Sequence, residues 1–227
     1  MVQSNGKKKL FLYFIIFILL STISNKSINN QDISFFEISN INVSGLSSKN
    51  NLKVKNDLSK ILLKNIFLIN KDSFIKILSK NNLIESFKIK KIYPNSIEID
   101  LKETNLVGIT NSDNKFFFIG SNGKLIKYEN KHEELPFVFG KINYIDFIKF
   151  KKIIDKSKFD FKEIDSIYFF PSNRWDIKTV NGLLIKLPEK KILESLELAN
   201  KIKKNIQFDN NKIIDLRISG HIIVSDE

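Results

Sequence analysis

The chain has 227 residues, 42% of them apolar and 27% charged, which suits one or two globular domains and excludes a disordered tail. It has no cysteine and only two histidines, His132 and His221, so a disulfide framework, a thiolate nucleophile and cysteine- or histidine-rich metal sites are excluded. The net charge of +12 comes almost wholly from lysine, since Arg174 and Arg217 are the only arginines. Nucleic-acid binders more often use arginine's planar fork, so the charge reads as a solvated lysine-rich surface and no nucleic-acid partner is expected.

Lys7, Lys8 and Lys9 precede an apolar run from Leu10 to Leu20 that extends to Ile23. A run of about 14 residues is about 21 Å long as a helix, short of the hydrocarbon core of about 30 Å. Two readings stand side by side. One is a secretory signal cut after Ser24. The other is an uncleaved anchor that continues to Ile28 while the lysines snorkel outward. Both leave the lysines inside and carry everything beyond about residue 30 out of the cytoplasm. Residues 25–34 are polar and read as a tether.

Phe36, Ile38, Ile41 and Val43 alternate imperfectly and end at Gly45, which predicts a strand. Leu58, Ile61, Leu62 and Ile66 fall at three- and four-residue steps, which predicts one buried helix face over 52–68. Phe74, Ile75 and Leu78 predict a second, shorter helix. Phe87, Ile89 and Ile92 mark a strand, Tyr93-Pro94-Asn95-Ser96 a turn, and Ile97, Ile99 and Leu101 a half-buried strand. The order over 36–103 is strand, helix, helix, strand, strand, with both helices on one sheet face.

The second half is richer in strands. Residues 115–119 and 124–127 flank an Asn122-Gly123 hairpin signal. Leu135–Phe139 is a short strand, and 143–157 a helix. Ile164–Phe170, Trp175–Val180 and Leu183–Leu187 are strands, the last two joined by Asn181-Gly182. Ile192, Leu196, Ala199, Ile202 and Ile206 form a helical stripe. Ile213–Ile218 and His221–Val224 close the chain as strand, kinked at Ser219-Gly220, with His221 on a strand face. The fold class is therefore α+β, with a mostly antiparallel β domain and flanking helices.

No catalytic constellation is visible. His132 stands alone in a charged stretch, no glycine-rich loop could cradle a phosphate, and no two carboxylates are brought together by spacing. Trp175 reads as packing between sheet and helix, and the Phe residues at 116–118 and 169–170 read as core. Neither cofactor, metal nor small-molecule substrate is expected. Such a profile fits an interaction protein whose contact is an exposed sheet edge, because a terminal strand offers unpaired N–H and C=O groups.

Phe36-Glu37-Ile38 leads to Ile41-Asn42-Val43-Ser44-Gly45, then Lys91-Ile92-Tyr93-Pro94-Asn95-Ser96-Ile97-Glu98-Ile99 follows, and Glu103 after it. Further on come Leu135-Pro136-Phe137-Val138-Phe139-Gly140, Arg174-Trp175 before Asn181-Gly182, Lys186-Leu187-Pro188 and Asp215-Leu216-Arg217. In this order the patterns together resemble the FtsQ/DivIB family of bacterial cell-division proteins. The first is similar to the start of the family's POTRA domain, a β-α-α-β-β module, the second to the turn and strand near its end, and Glu103 to the acidic start of the motif that follows. Thr104 and Leu106 stand where the family usually has Arg and Pro, and Ile218 where many members have an aromatic residue.

The resemblance implies a cytoplasmic tail (1–9), a membrane anchor (10–28), a tether (29–34), a POTRA domain (35–104) and an FtsQ-type β domain (105–227). It implies a non-enzymatic divisome scaffold of the bacterial inner membrane, single-pass, with the bulk of the chain periplasmic. Its partners would be FtsB-like and FtsL-like division proteins, through which it would help link septum assembly to peptidoglycan synthesis. The expected partner-binding residues are Arg217, Ile218, Ser219, Gly220, Ile222 and Val224, held largely by backbone pairing. The competing reading is a POTRA-containing export or outer-membrane assembly accessory protein, which would carry tandem modules or a barrel.

Overall fold

The computed structural model describes residues 5–22, 34–128, 134–205, 212–218 and 220–226. His132, Ser219 and Ile206, and the stretch 23–33 that holds the far end of the expected anchor and most of the tether, lie outside the described residues.

Helix α1 (Asn5–Thr22) carries the lysine cluster and the apolar run as one element of 18 residues. Its apolar side chains from Leu10 to Leu20 are all exposed. Three lysines occupy its first turns, and among the described residues no helix is long and apolar enough to cross a membrane.

The next unit is built on a three-stranded sheet ordered β1-β3-β2, from β1 (Asn40–Ser44), β2 (Ile84–Ile92) and β3 (Ser96–Glu103). Strand β1 runs parallel to β3, and β2 antiparallel to it. One face is covered by α2 (Ser48–Asp57) and α3 (Lys71–Leu78). Each helix starts at a side-chain cap: Ser47 Oγ accepts the Asn50 N–H at 3.4 Å, and Asn70 Oδ1 accepts the Ser73 N–H at 3.1 Å. The shared core includes Ile38, Ile41, Val54, Leu58, Phe74, Leu78, Ile97 and Ile99. Gly45 closes β1 at φ +102°, and a Cβ there would lie 1.7 Å from the Leu101 carbonyl oxygen, so no other residue fits.

Three expectations for this unit are corrected. Phe36 is not in the first strand; it ends a 3₁₀ turn (Ser34–Phe36) and is 37% exposed. The helix over 52–68 stops at Asp57 and tightens into a 3₁₀ turn over Leu58–Ile61, which rotates Leu58 and Ile61 inward. Leu63 then takes a left-handed φ of 63° and the chain turns away, so Leu62 is 37% exposed instead of core. Ile75 is exposed as well, because it lies off the stripe set by Phe74 and Leu78.

The second unit is a nine-stranded sheet ordered β12-β11-β10-β9-β8-β7-β4-β5-β6. Its strands are β4 (Leu106–Ser112), β5 (Lys115–Gly120), β6 (Leu125–Lys127), β7 (Phe137–Phe139), β8 (Ile164–Phe170), β9 (Arg174–Thr179), β10 (Leu184–Lys186), β11 (Lys212–Asp215) and β12 (Ile223–Asp226). Pairing is mostly antiparallel, as expected, with parallel joins at β4–β7, β7–β8 and β10–β11. Two of these are crossovers through helices: α4 (Tyr144–Lys156) links β7 to β8, and α5 (Ile192–Asn205) links β10 to β11.

Both helices lie on one sheet face. Phe147, Phe150 and Ile154 of α4, with Leu196 and Ala199 of α5, pack on Val138, Ile167, Trp175, Ile177 and Ile185. Trp175 fills the place the sequence assigns it: its ring stacks on Phe150 at 4.2 Å and 4°, with Phe169 at 4.7 Å. Phe118 is buried too, but Phe116 is 51% exposed and Phe170 half-buried, so the Phe clusters are not wholly core. The two units bury separate apolar clusters and meet at a polar joint. There the Glu85 carboxylate accepts the hydroxyls of Thr104 at 2.8 Å and Ser121 at 2.9 Å, and Asn122 Nδ2 donates to the carbonyls of Asn82 at 2.9 Å and Ile84 at 3.1 Å.

Candidate partner-binding edge and cleft

The chain does not close as one kinked strand. Strands β11 and β12 form a hairpin, with Ile214 opposite Val224 and Asp215 opposite Ile223. Gly220, at φ +78°, sits in the connection. Among the described residues, β12 is the last strand of the sheet, with β11 as its neighbour. Its second side therefore presents backbone N–H and C=O groups to a further strand.

Of the expected partner-binding residues, Val224 lies within β12, while Arg217, Ile218, Gly220 and Ile222 lie in the connection before it. His221 lies there too, instead of on a strand face, and its N–H donates to the Ile218 carbonyl at 3.1 Å. Ile218, Ile222, Ile223 and Val224 are each between 47% and 56% exposed, so the hairpin end is an apolar patch beside an open edge.

Inward of this edge, over β8, β9 and β10 on the sheet face away from the helices, lies an open cleft of about 400 Å³. It is lined by Tyr168, Phe170, Arg174, Asp176, Lys178, Leu184, Lys186 and Arg217. Cross-strand register builds it: Tyr168 faces Asp176, Asp176 faces Lys186, and Lys186 faces Asp215. Of these residues only Arg217 is among those expected from the sequence. Three of the others had a readable signal, because Arg174, Asp176 and Lys178 alternate with the core residues Trp175 and Ile177.

The charges of the cleft are arranged by burial. Asp176 is 4% exposed and takes a hydrogen bond from Arg174 Nε at 3.3 Å. Burial pushes its carboxyl above the usual carboxylate range, and Arg174, Arg217 and Lys186 pull it back only in part. Asp215 behaves oppositely. Arg217 Nε donates to its two oxygens at 2.8 and 2.9 Å, the Arg217 terminal nitrogen and backbone N–H add further bonds, and its carboxyl is held below the usual range. The same hydrogen bonds raise the Arg217 guanidinium still higher, so it stays charged. Arg217 is thus aimed over the cleft by Asp215, with its side chain 41% exposed. Arg174 also rests over the Phe170 ring at 4.4 Å.

The aromatic residues continue the cleft along the same bare face. Tyr168 stacks on Phe139 at 5.2 Å, and Phe139 on Phe137 at 6.1 Å, with Phe116 6.2 Å beyond. Among the described residues no group of His, Asp or Glu is placed to hold a metal ion.

A helix-capped three-stranded unit is thus followed by a sheet with an open terminal edge and a basic, aromatic-walled cleft. Comparisons with known proteins place this two-unit arrangement in a family. Residues 36–104 match the family model "POTRA domain, FtsQ-type" and residues 108–217 match "Cell division protein FtsQ/DivIB, C-terminal". The chain belongs to the FtsQ/DivIB family. The second match ends at Arg217, before β12.

Among curated proteins, the chain is 22% identical over 200 residues to the cell division protein FtsQ of Rhizobium meliloti, covering 83% of this chain and 62% of that one. It is 30% identical over 157 residues to the cell division protein DivIB of Clostridium botulinum strain Loch Maree, covering 69% and 53%. The chain thus spans under two thirds of the length of both relatives. A solved extracytoplasmic domain of DivIB from Geobacillus stearothermophilus shares 14% identity with a TM-score of 0.34, over 47% of this chain and 99% of that one.

Proposed function

We propose that this protein is a divisome scaffold of the bacterial inner membrane that works by binding and not by catalysis. Its β domain (105–227) takes the small division proteins of the FtsB and FtsL kind and so helps link septum assembly to peptidoglycan synthesis. Its POTRA domain (35–104) stands between that site and the membrane. Residues 10–28 form a single-pass anchor with the tail 1–9 in the cytoplasm and the bulk of the chain in the periplasm.

The observation that carries the reading is the open edge of β12 beside the basic cleft. A partner strand added to β12 gains main-chain bonds, and alternate side chains give specificity. An acidic side chain on a partner segment that continues from the added strand across the bare sheet face would meet Arg217, Lys186 and Arg174 in the cleft, where a charge-assisted bond shielded from water contributes about 1.5–3 kcal/mol. The anchor reading is supported by α1, whose run Leu10–Leu20 is apolar on every side and exposes every one of these side chains. Lysine snorkelling and local thinning would accommodate its short length.

The test is pull-down of the periplasmic segment of an FtsB-like protein by the full chain in detergent, with Val224→Pro and Ser225→Pro compared. Adjacent N–H groups in a strand point to opposite sides, so one substitution removes an outward donor and the other a bond to β11. The outward substitution should abolish capture while the fold survives. Undiminished capture by both variants would place the partner elsewhere.

A further inference from the structure

The POTRA unit carries an uncovered aromatic lip at the end where the chain arrives from α1. Backbone bonds hold the incoming segment against the loop after α2: Ile66 N–H donates to the Phe36 carbonyl at 2.9 Å, Leu63 N–H to the Ile38 carbonyl at 3.0 Å, and Ile38 N–H to the Lys64 carbonyl at 3.0 Å. This brings four rings into one row. Phe35 meets Phe36 edge-on at 5.2 Å, Phe36 meets Phe67 edge-on at 5.2 Å, and Phe67 stacks on Tyr93 at 5.0 Å. All four stay open to solvent: Phe35, Phe67 and Tyr93 are 56–57% exposed and Phe36 37%. Leu68 and Leu63, in the same loop, are 84% and 74% exposed. The same small unit buries Phe74 to 1%, so it has a core and leaves these side chains out of it.

The occupant follows from where the chain comes from. Only the eleven residues 23–33 separate the end of α1 from the turn that carries Phe35 and Phe36. Fully extended, they reach about 36–40 Å. If α1 is anchored in a bilayer, as proposed above, the lip is confined to within that distance of the lipid surface. Phe and Tyr rings are the side chains that settle at such an interface, the apolar body in the acyl boundary and the phenol among the headgroups. The segments that bear the lip, 34–38, 60–72 and 91–95, hold four lysines and two carboxylates, which suits an anionic surface. Lys91 is committed to the Ile69 carbonyl at 2.8 Å and steadies the loop.

We propose that Phe35, Phe36, Phe67, Leu68 and Tyr93 form a membrane-docking lip that rests in the bilayer interface and fixes how the POTRA unit stands on the membrane. This rests on the anchored reading of α1, and the experiment separates the two. The chain has no cysteine, so one introduced cysteine is a unique labelling site. A nitrobenzoxadiazole probe is placed at Leu68→Cys, at Phe14→Cys in α1, or at Val180→Cys, which is 62% exposed in the other unit. The full chain is reconstituted in vesicles of phosphatidylethanolamine and phosphatidylglycerol, with and without nitroxide lipids.

The probe at Leu68→Cys should shift to the blue and lose about half its emission to a shallow nitroxide, as interfacial insertion requires. The probe at Val180→Cys should not respond, and that at Phe14→Cys should be quenched by a deep nitroxide. Adding Phe67→Ser and Tyr93→Ser should abolish the response at Leu68→Cys. Quenching at Phe14→Cys without quenching at Leu68→Cys overturns the lip and leaves the anchor standing. Quenching at neither overturns both. Quenching at Leu68→Cys that survives loss of the rings also overturns the lip, as does a lip probe that responds only to an added protein partner.

Discussion

On the three-stranded sheet, the face turned away from the helices carries Lys88, Lys90, Glu98, Asp100 and Lys102, all exposed. Cross-strand register sets Lys88 opposite Asp100 and Lys90 opposite Glu98. On the nine-stranded sheet, the bare face carries Phe116, Phe137, Phe139 and Tyr168, then the basic cleft, then the open edge of β12. Both units solve the same packing problem by burying one sheet face under two helices. They differ in what the other face is made to meet. Paired surface charges are satisfied by water and contribute little, about 0–1 kcal/mol each. Exposed rings and a buried, incompletely compensated carboxylate carry a standing cost that a partner can relieve.

Because the two cores are separate, the largest effects should stay within one unit. Trp175→Ala removes the ring stacked between Phe150 and Phe169 and should destabilise the β domain by about 3–5 kcal/mol. Urea unfolding followed by NMR should show the POTRA signals unmoved. Leu62→Ala, at a residue 37% exposed, should cost under about 1 kcal/mol, whereas Phe74→Ala should cost about 3–5 kcal/mol. A large loss at Leu62 would restore the helical stripe that the sequence suggests.

A smaller effect should follow from the joint between the units. Glu85→Ala deprives the Thr104 and Ser121 hydroxyls of their acceptor and should cost about 0.5–1.5 kcal/mol. Residual dipolar couplings should report a change in the relative orientation of the units while each keeps its own fold.

The cleft's two carboxylates should give opposite pH signatures. The Asp215 carboxyl is held below its ordinary value by Arg217, so its contribution is present above that ordinary value and lost as pH falls through the folded one. Asp215→Asn should therefore lower stability at neutral pH and have no such effect in strong acid. Burial raises the Asp176 carboxyl, so ionisation there costs stability as pH rises through the raised value. Asp176→Asn should raise stability at neutral pH and leave it unchanged in strong acid. Denaturation midpoints across the acid range would read both, and equal signs would show that the cleft's charge pattern is misassigned.

What the sequence made legible was set by how one-sided each element is. Ile97, Ile99 and Leu101 alternate because β3 has one wet face, and Asn122-Gly123 marks its hairpin because the turn needs a positive φ. Strand β4 escaped detection. Val107 to Thr110 are all buried, so there is no alternation to see, and its turn uses left-handed Asp113 and Asn114 in place of a glycine. Phe116 and Phe118 have the same parity on β5, yet only Phe118 is buried, because Tyr128 stacks over it at 4.7 Å. The family was legible from the order of many weak motifs. The cleft was not, since Arg174, Asp176, Lys186 and Arg217 meet only through register across two joins, the antiparallel β9–β10 and the parallel β10–β11. The terminal hairpin was read as a kinked strand although Ser219-Gly220 is a turn signal, because the apolar residues on either side of it, up to Ile218 and from Ile222, read as one continuing run.

Hydrogen exchange on the full chain, with and without the periplasmic segment of an FtsB-like protein, reads both bare faces in one experiment. Strand addition predicts protection of alternate amides in β12, Ile223–Asp226, together with slowed exchange around Arg217, and no change in β2 or β3. Protection on the charged face of the three-stranded sheet, with β12 exchanging as before, would contradict the assignment of the β12 edge as the docking site.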